Sequence, residues 1–71
     1  MGEIIIDKVK VGERLATLRG EKRREIVAAA IGISVSALTM YETGQRIPRD
    51  EIKIKLAAYY GTTVDSIFFA A

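Results

Sequence analysis

The sequence predicts an all-α fold, a compact five-helix domain with a short extended lead at its N-terminus. Three observations carry this prediction. Apolar residues recur three and four apart in successive segments, the spacing that lines one face of a helix. The segments end on glycines, at Gly20, Gly32, Gly44 and Gly61. Residues that accept hydrogen bonds from free backbone amides, among them Asp7, Ser34 and Thr62 or Thr63, stand where further helices would begin.

The lead, residues 1–7, carries Ile4, Ile5 and Ile6 in a row. A strand, a flap over the core and a dimer contact all fit it. Asp7 offers its carboxylate to the amides of a first helix running to about Arg19, with Val11, Leu15 and Leu18 on its buried face. Gly12 inside this helix costs about 1 kcal/mol relative to alanine, which puts its first turn in question. Gly20 breaks it. The second helix spans Arg24 to Ile31, with Val27, Ala28 and Ile31 inward, and Gly32 ends it by accepting positive φ. Ser34 caps a third helix that runs to Glu42 or Thr43, with Leu38 and Tyr41 toward the core and Ala37 beside them.

Pro48, the only proline, opens the next element, and Asp50 and Glu51 follow where a helix N-terminus favours negative charge. Ile52, Ile54 and Leu56 alternate with Lys53 and Lys55 as in a strand, yet Ile52, Leu56 and Tyr59 also keep helical spacing. Length, the acidic start and Gly61 at the end favour a helix. Thr62 or Thr63 then caps a short fifth helix through Phe68, with Val64, Ile67 and Phe68 inward.

A chain of 71 residues is expected to form one domain, 1–71. Domains near this size bury only about 60% of their unfolded surface, and 49% hydrophobic residues exceed what so small a core hides. The surplus points to a partner, most simply a second copy of the chain. A compact monomer with scattered exposed apolar side chains is the alternative. Cysteine and histidine are both absent. Disulfides, thiolate zinc sites, histidine acid–base chemistry and cysteine nucleophiles are therefore excluded. No metal, cofactor or small-molecule substrate is expected. The lack of cysteine fits a reducing cytoplasm, the expected location. No apolar run reaches the roughly 20 residues of a membrane span, and Ile4 to Ile6 is too short for the apolar segment of a signal peptide. Asp65 with Ser66, and Glu42 with Thr43, have no His or Lys arranged as a base, and no phosphate-binding glycine loop occurs. An enzyme is not expected. At this length no separate sensor domain is expected.

A net charge of +2 argues little by itself, but its placement is informative. Arg19, Lys22, Arg23 and Arg24 crowd into six residues, with Glu21 and Glu25 as the nearby acids. Arg46 and Arg49 follow Gly44, and Ile26 to Tyr41 carries no charge at all. Lys22, Arg23 and Arg24 stand at the positive end of the second helix dipole, where each cation costs roughly 0.3–1 kcal/mol. An anion at that terminus would relieve them, which reads as a phosphate clamp led by Arg24. A solvated basic turn with Glu21 and Glu25 as local partners is the alternative.

Ala28, Gly32 and Leu38 keep the spacing of a helix-turn-helix over residues 24–44. Ala28 is small where the third helix crosses close above it, Gly32 supplies the turn, and Leu38 pins the second helix of this pair onto the first. An ordinary helical hairpin shares these features. The longer stretches LATLRG, IVAAAIGIS, ALTMYETGQRIPRDE and TTVDSIFF go further, for the chain from Val11 to Phe69 resembles the phage repressor and Cro family of five-helix DNA-binding domains, the Xre-like family. YETGQRIP is similar to the family's aromatic–Glu–x–Gly–x–x–x–Pro exit from the third helix. Arg23 stands where the family usually caps the second helix with Ser or Thr.

The resemblance implies a repressor-like regulator that binds double-stranded DNA as a homodimer on a two-fold symmetric operator, with the third helix in the major groove. Val35, Ser36, Thr39 and Met40 fall on the family's base-contacting positions. Hydroxyls at Ser36 and Thr39 can meet base edges with little selectivity, and Val35 and Met40 suit a thymine methyl. Packing of Val35 and Met40 against a loop or another protein is the alternative. None of the four makes a bidentate base contact, so selectivity falls to weaker contacts, DNA shape or the dimer. Phosphate contacts are assigned to Arg24, Arg23, Lys22, Ser34 and Thr43, with Arg46 and Arg49 on the other flank. The resemblance also implies a structural ion pair, Arg19 with Glu42, whose truncation on one side strands a charge. Tyr60, Phe68 and Phe69, or Ile5 in the lead, are the dimer candidates. A second reading keeps the fold but makes it a protein-interaction module of antitoxin or adaptor type, with the third helix gripping a protein.

Overall fold

Asp7 starts the first helix in the way its chemistry requires. Its Oδ1 accepts from the amides of Val9 and Lys10 at 3.0 and 3.2 Å, satisfying two donors that the helix itself leaves free. The computed structural model describes residues 6–70. The helices are α1 (Lys8–Arg19), α2 (Arg24–Ile31), α3 (Val35–Glu42), α4 (Asp50–Tyr60) and α5, a wide π-type turn over Asp65–Phe69. No strand occurs among the described residues. Ile4 and Ile5 lie outside them, and Ile6 packs half-buried against the core.

α1 packs on α3 and α5, and α2 on α3 and α4. The core between them is apolar: Val11 and Leu15 from α1, Val27, Ala28 and Ile31 from α2, Leu38 from α3. Ile52, Leu56 and Ala57 come from α4, and Ile67 and Phe68 from α5. The alternating stretch of α4 is a helix, which turns Ile52 and Leu56 inward and leaves Ile54 in solvent. Thr63 Oγ1 accepts from the Ser66 amide at 3.1 Å and so anchors the start of α5. Arg14 holds its end, donating from Nη1 to the Ile67 carbonyl at 2.7 Å and from Nη2 to that of Ala70 at 3.0 Å. No single helix among the described residues is long and apolar enough to cross a membrane.

Two expectations are corrected. Leu18 shares the helical face of Val11 and Leu15 but is exposed. It borders an open groove between α1 and α5, about 540 Å³ in volume. Gly12 does not mark a weak first turn. It is buried where α1 meets the end of α3. A Cβ there would fall within contact distance of the Glu42 carbonyl oxygen and 2.9 Å from that of Tyr41. Glycine is what allows two backbones to approach so closely.

Candidate nucleic-acid interface

α2 and α3 are joined by Gly32 and turn through 108°, inside the range of a helix-turn-helix. Gly32 takes the left-handed conformation (φ 83°) and its amide bonds the Ala28 carbonyl at 2.9 Å. Two residues on, Ser34 Oγ accepts from the Ala37 amide at 3.0 Å and starts α3. Leu38 is fully buried between the two helices and its neighbours. Such a residue loses about 2–5 kcal/mol when cut to alanine, so it fixes how α3 is held.

The opposite side of α3 carries the expected base-contacting set. Val35 and Ser36 are exposed, while Thr39 and Met40 are half-buried. No charge lies on this surface. α2 adds an exposed apolar face of its own through Ile26, with Ala29 and Ala30 beside it. The helical period already places Ile26 opposite Val27, Ala28 and Ile31, so its exposure could have been read from spacing.

Around this surface the cations are less free than their positions in the chain suggest. Arg19 grips Glu42 with two bonds, Nε to Oε2 at 2.7 Å and Nη2 to Oε1 at 2.9 Å, and its Nη1 donates to the Lys22 carbonyl at 2.8 Å. Arg24 is drawn to the same carboxylate, Nε to Oε1 at 2.9 Å. Glu42 is thus a buried anion shared by two arginines, with its side chain only 1% exposed. Burial pushes its pKa up, but the bonds from Arg19 and Arg24 prevail and hold it below the ordinary carboxylate value. The Glu42 bond in turn raises the pKa of Arg19 against the opposing effect of burial.

The strain foreseen at the start of α2 is therefore relieved from within, at Arg24 by Glu42. At Arg23, which caps α2 with no side-chain bond, a loose exposed pair with Glu25 forms at 3.5 Å. The Glu25 carboxylate also bonds its own amide, the main reason its pKa is lowered. Lys22 leans on α4, with Nζ 4.9 Å from the Tyr59 ring centre and 3.2 Å from its hydroxyl.

The two hydroxyl residues assigned to phosphate behave differently. Ser34 uses its oxygen as a cap and keeps its proton to donate outward. Thr43 donates its proton to the Thr39 carbonyl at 2.8 Å and accepts from Gln45 Nε2 at 2.9 Å. It has no hydroxyl donor left for a phosphate in this arrangement. On the other flank, Arg46 and Arg49 border a cleft of about 370 Å³ together with Lys55, over a floor of Ile33, Tyr41, Ile47 and Ile52. Arg49 reaches Glu51 at 3.4 Å in the open. Lys55 was not among the expected cations, because its place on the rim depends on how α4 lies beside the turn.

The dimer candidates separate. Phe68 is a core residue, buried within the chain by α5 packing on α1, and offers nothing to a second copy. Tyr60 stacks edge-on against Tyr59 and turns its hydroxyl inward, where no partner among the described residues meets it. Burial first, and the Glu42 charge second, push its pKa up to about 12. Phe69 remains 45% exposed and shares a recess of about 300 Å³ with Ile54 and Val64. Ile5 lies outside the described residues.

A family model described as helix-turn-helix matches residues 15–67 of the chain. Among solved structures, the chain is similar to the restriction-modification controller protein C.AhdI from Aeromonas hydrophila. The two are 33% identical, over 87% of this chain and 97% of that one, with a TM-score of 0.78. No protein of curated function matches.

Proposed function

The chain belongs to the helix-turn-helix family of repressor and Cro type, DNA-binding regulators of transcription, and from that premise we propose that it acts as a homodimer on a two-fold symmetric operator, in the cytoplasm. The observation that carries this reading is the uncharged outer surface of α3. Val35 and Ser36 stand in solvent on a stretch, Ile26 to Tyr41, that carries no charge, with Lys22 and Arg23 before it in the chain and Arg46 and Arg49 after it. A bare helix between two cationic borders suits a major groove between two phosphate backbones.

In this reading Ser36 and Thr39 meet base edges and Val35 and Met40 meet apolar base surface. Arg23, Lys22, Ser34, Arg46 and Arg49 touch phosphates. Arg24 contributes with the part of its guanidinium that Glu42 leaves free, and the Thr43 side chain does not take part. The dimer forms through Ile54 and Phe69, exposed by 60% and 45% on one α4–α5 surface. Their recess is rimmed by Asp50 and Lys53, and exposed apolar surface bordered by polar residues is a common mark of an interface.

Selection of bound duplexes from a random pool tests the reading. The expected result is a palindromic consensus whose affinity falls steeply with salt, because each phosphate contact displaces counterions. A pool without enrichment, or binding indifferent to salt, would sink it. One observation favours a second reading. Ile26 and Val35 are exposed on adjacent helices, which would also suit a protein partner of antitoxin or adaptor type. Charge reversal at Lys22 and Arg46 separates the two, since DNA binding is lost and a protein contact through Ile26 and Val35 survives.

A further inference from the structure

Two guanidiniums meet one carboxylate at Glu42, so the cluster carries one uncompensated positive charge. The two arginines are not equivalent. Arg19 is spent internally: its Nε, Nη1 and Nη2 all donate to protein oxygens, and its side chain is 17% exposed. Arg19 by itself neutralises Glu42. Arg24 is 37% exposed and is anchored through Nε alone, with no protein acceptor for its Nη groups among the described residues. Its guanidinium is therefore held by one nitrogen while the others remain available. Arginine binds phosphate best through two parallel N–H donors in a fixed plane, and a side chain already ordered loses less freedom on binding.

We propose that Glu42 is a positioning residue for DNA binding: by holding Arg24 at Nε it aims the free Nη groups at one backbone phosphate. The inference rests on the DNA-binding reading above. It also ties the phosphate contact to the recognition helix, because Glu42 is the last residue of α3 while Arg24 is the first of α2. A phosphate seated on Arg24 is thereby placed relative to the base-facing residues through a single carboxylate.

The test exploits a difference in sign. Removing a negative charge from a DNA-binding surface strengthens binding if only net charge matters. A positioning role requires the reverse. Glu42→Gln, Arg24→Gln and the double variant are to be compared by titration with a duplex from the bound pool at several salt concentrations, with thermal melts confirming that each is folded. Arg24→Gln should weaken binding roughly tenfold and lower the salt slope by about 0.9. Glu42→Gln should weaken binding despite the lost negative charge, and should weaken it no further once Arg24→Gln is present. Arg24→Lys, which keeps the charge and discards the fork, should lose affinity with the slope unchanged. It serves in place of Glu42→Gln if that variant does not fold. The proposal is overturned if folded Glu42→Gln binds as tightly as the parent, if Arg24→Gln leaves the slope intact, or if Arg24→Lys binds at full strength. A parent protein that shows no salt-dependent binding defeats the underlying reading instead.

Discussion

Tyr60 carries a buried hydroxyl with no partner among the described residues, and this is an uncommon state for a phenol. A polar atom taken from water and left unpaired costs about 1–3 kcal/mol. Tyr60→Phe removes that atom and keeps the ring, so its melting temperature should match or exceed the parent's; a clear drop would mean that the hydroxyl is paired in solution. The raised pKa gives a second signature. The folded-state value lies above the ordinary 10.0, so the neutral phenol stabilises the fold fully below pH 10, and that contribution is lost as pH climbs toward about 12. The Tyr60→Phe variant should lack this alkaline loss in melts over the same range. Glu42 has the opposite sign. Its folded pKa lies below the ordinary 4.5, so its ionisation stabilises the fold above that value and the contribution disappears as pH falls below it. The difference in melting temperature between the parent and Glu42→Gln should therefore shrink on acidification. A constant difference would mean that the shared carboxylate does not titrate with folding.

At the scale of elements, the position of the recognition helix is decided by what touches its ends. Ser34 starts α3 and Glu42 ties its last residue to α1 and α2. Gly12 lets α1 lie directly on its terminal carbonyls. Two effects oppose each other in Gly12→Ala. Helix propensity favours alanine by about 1 kcal/mol, while forcing a methyl group into an occupied space costs typically 1–3 kcal/mol. Here the obstacle is backbone rather than a flexible side chain, so the steric effect should prevail. Denaturant unfolding should give a net loss of up to about 2 kcal/mol, together with weaker DNA binding as α3 shifts. A more stable variant would show that the α1–α3 approach is looser than the contact distances indicate. A glycine inside a helical pattern is a known sign of close packing, but only the folded chain identifies the carbonyls that it meets.

For the molecule as a whole, the apolar excess of the composition is only partly absorbed by the core. Val9, Leu18, Ile26, Val35, Ile54 and Phe69 remain at the surface. Ile54 and Phe69 meet in one recess, with Lys53 Nζ 5.5 Å from the Phe69 ring centre. Phe69→Asp and Ile54→Glu should yield folded monomers by light scattering, since neither residue supports the protomer core. Both should bind a palindromic duplex more weakly than the parent, because the second half-site then adds nothing. A dimer that survives both substitutions would move the interface elsewhere, the N-terminal lead included.

Helix order and helix ends were legible in the chain because caps and stops act within one turn of backbone. Asp7, Ser34, Gly32 and Gly61 each bond or bend residues only a few positions away. The inward face of α2 followed from periodicity for the same reason, whereas that of α4 needed its length, acidic start and terminal Gly61 as well, because Ile52, Ile54 and Leu56 also alternate as in a strand. Resemblance supplied Arg19 as the partner of Glu42, but it did not supply Arg24, which stands 18 residues from Glu42 and reaches it only because α2 crosses α3. The packing of all five helices likewise determined that Gly12 meets α3, that Leu18 stays in solvent and that Phe68 is sealed inside. Local hydrogen bonding and hydrophobic spacing are properties of neighbouring residues. Which distant side chains share a charge depends on how the completed core sets the helices against one another, and that depends on the tertiary structure.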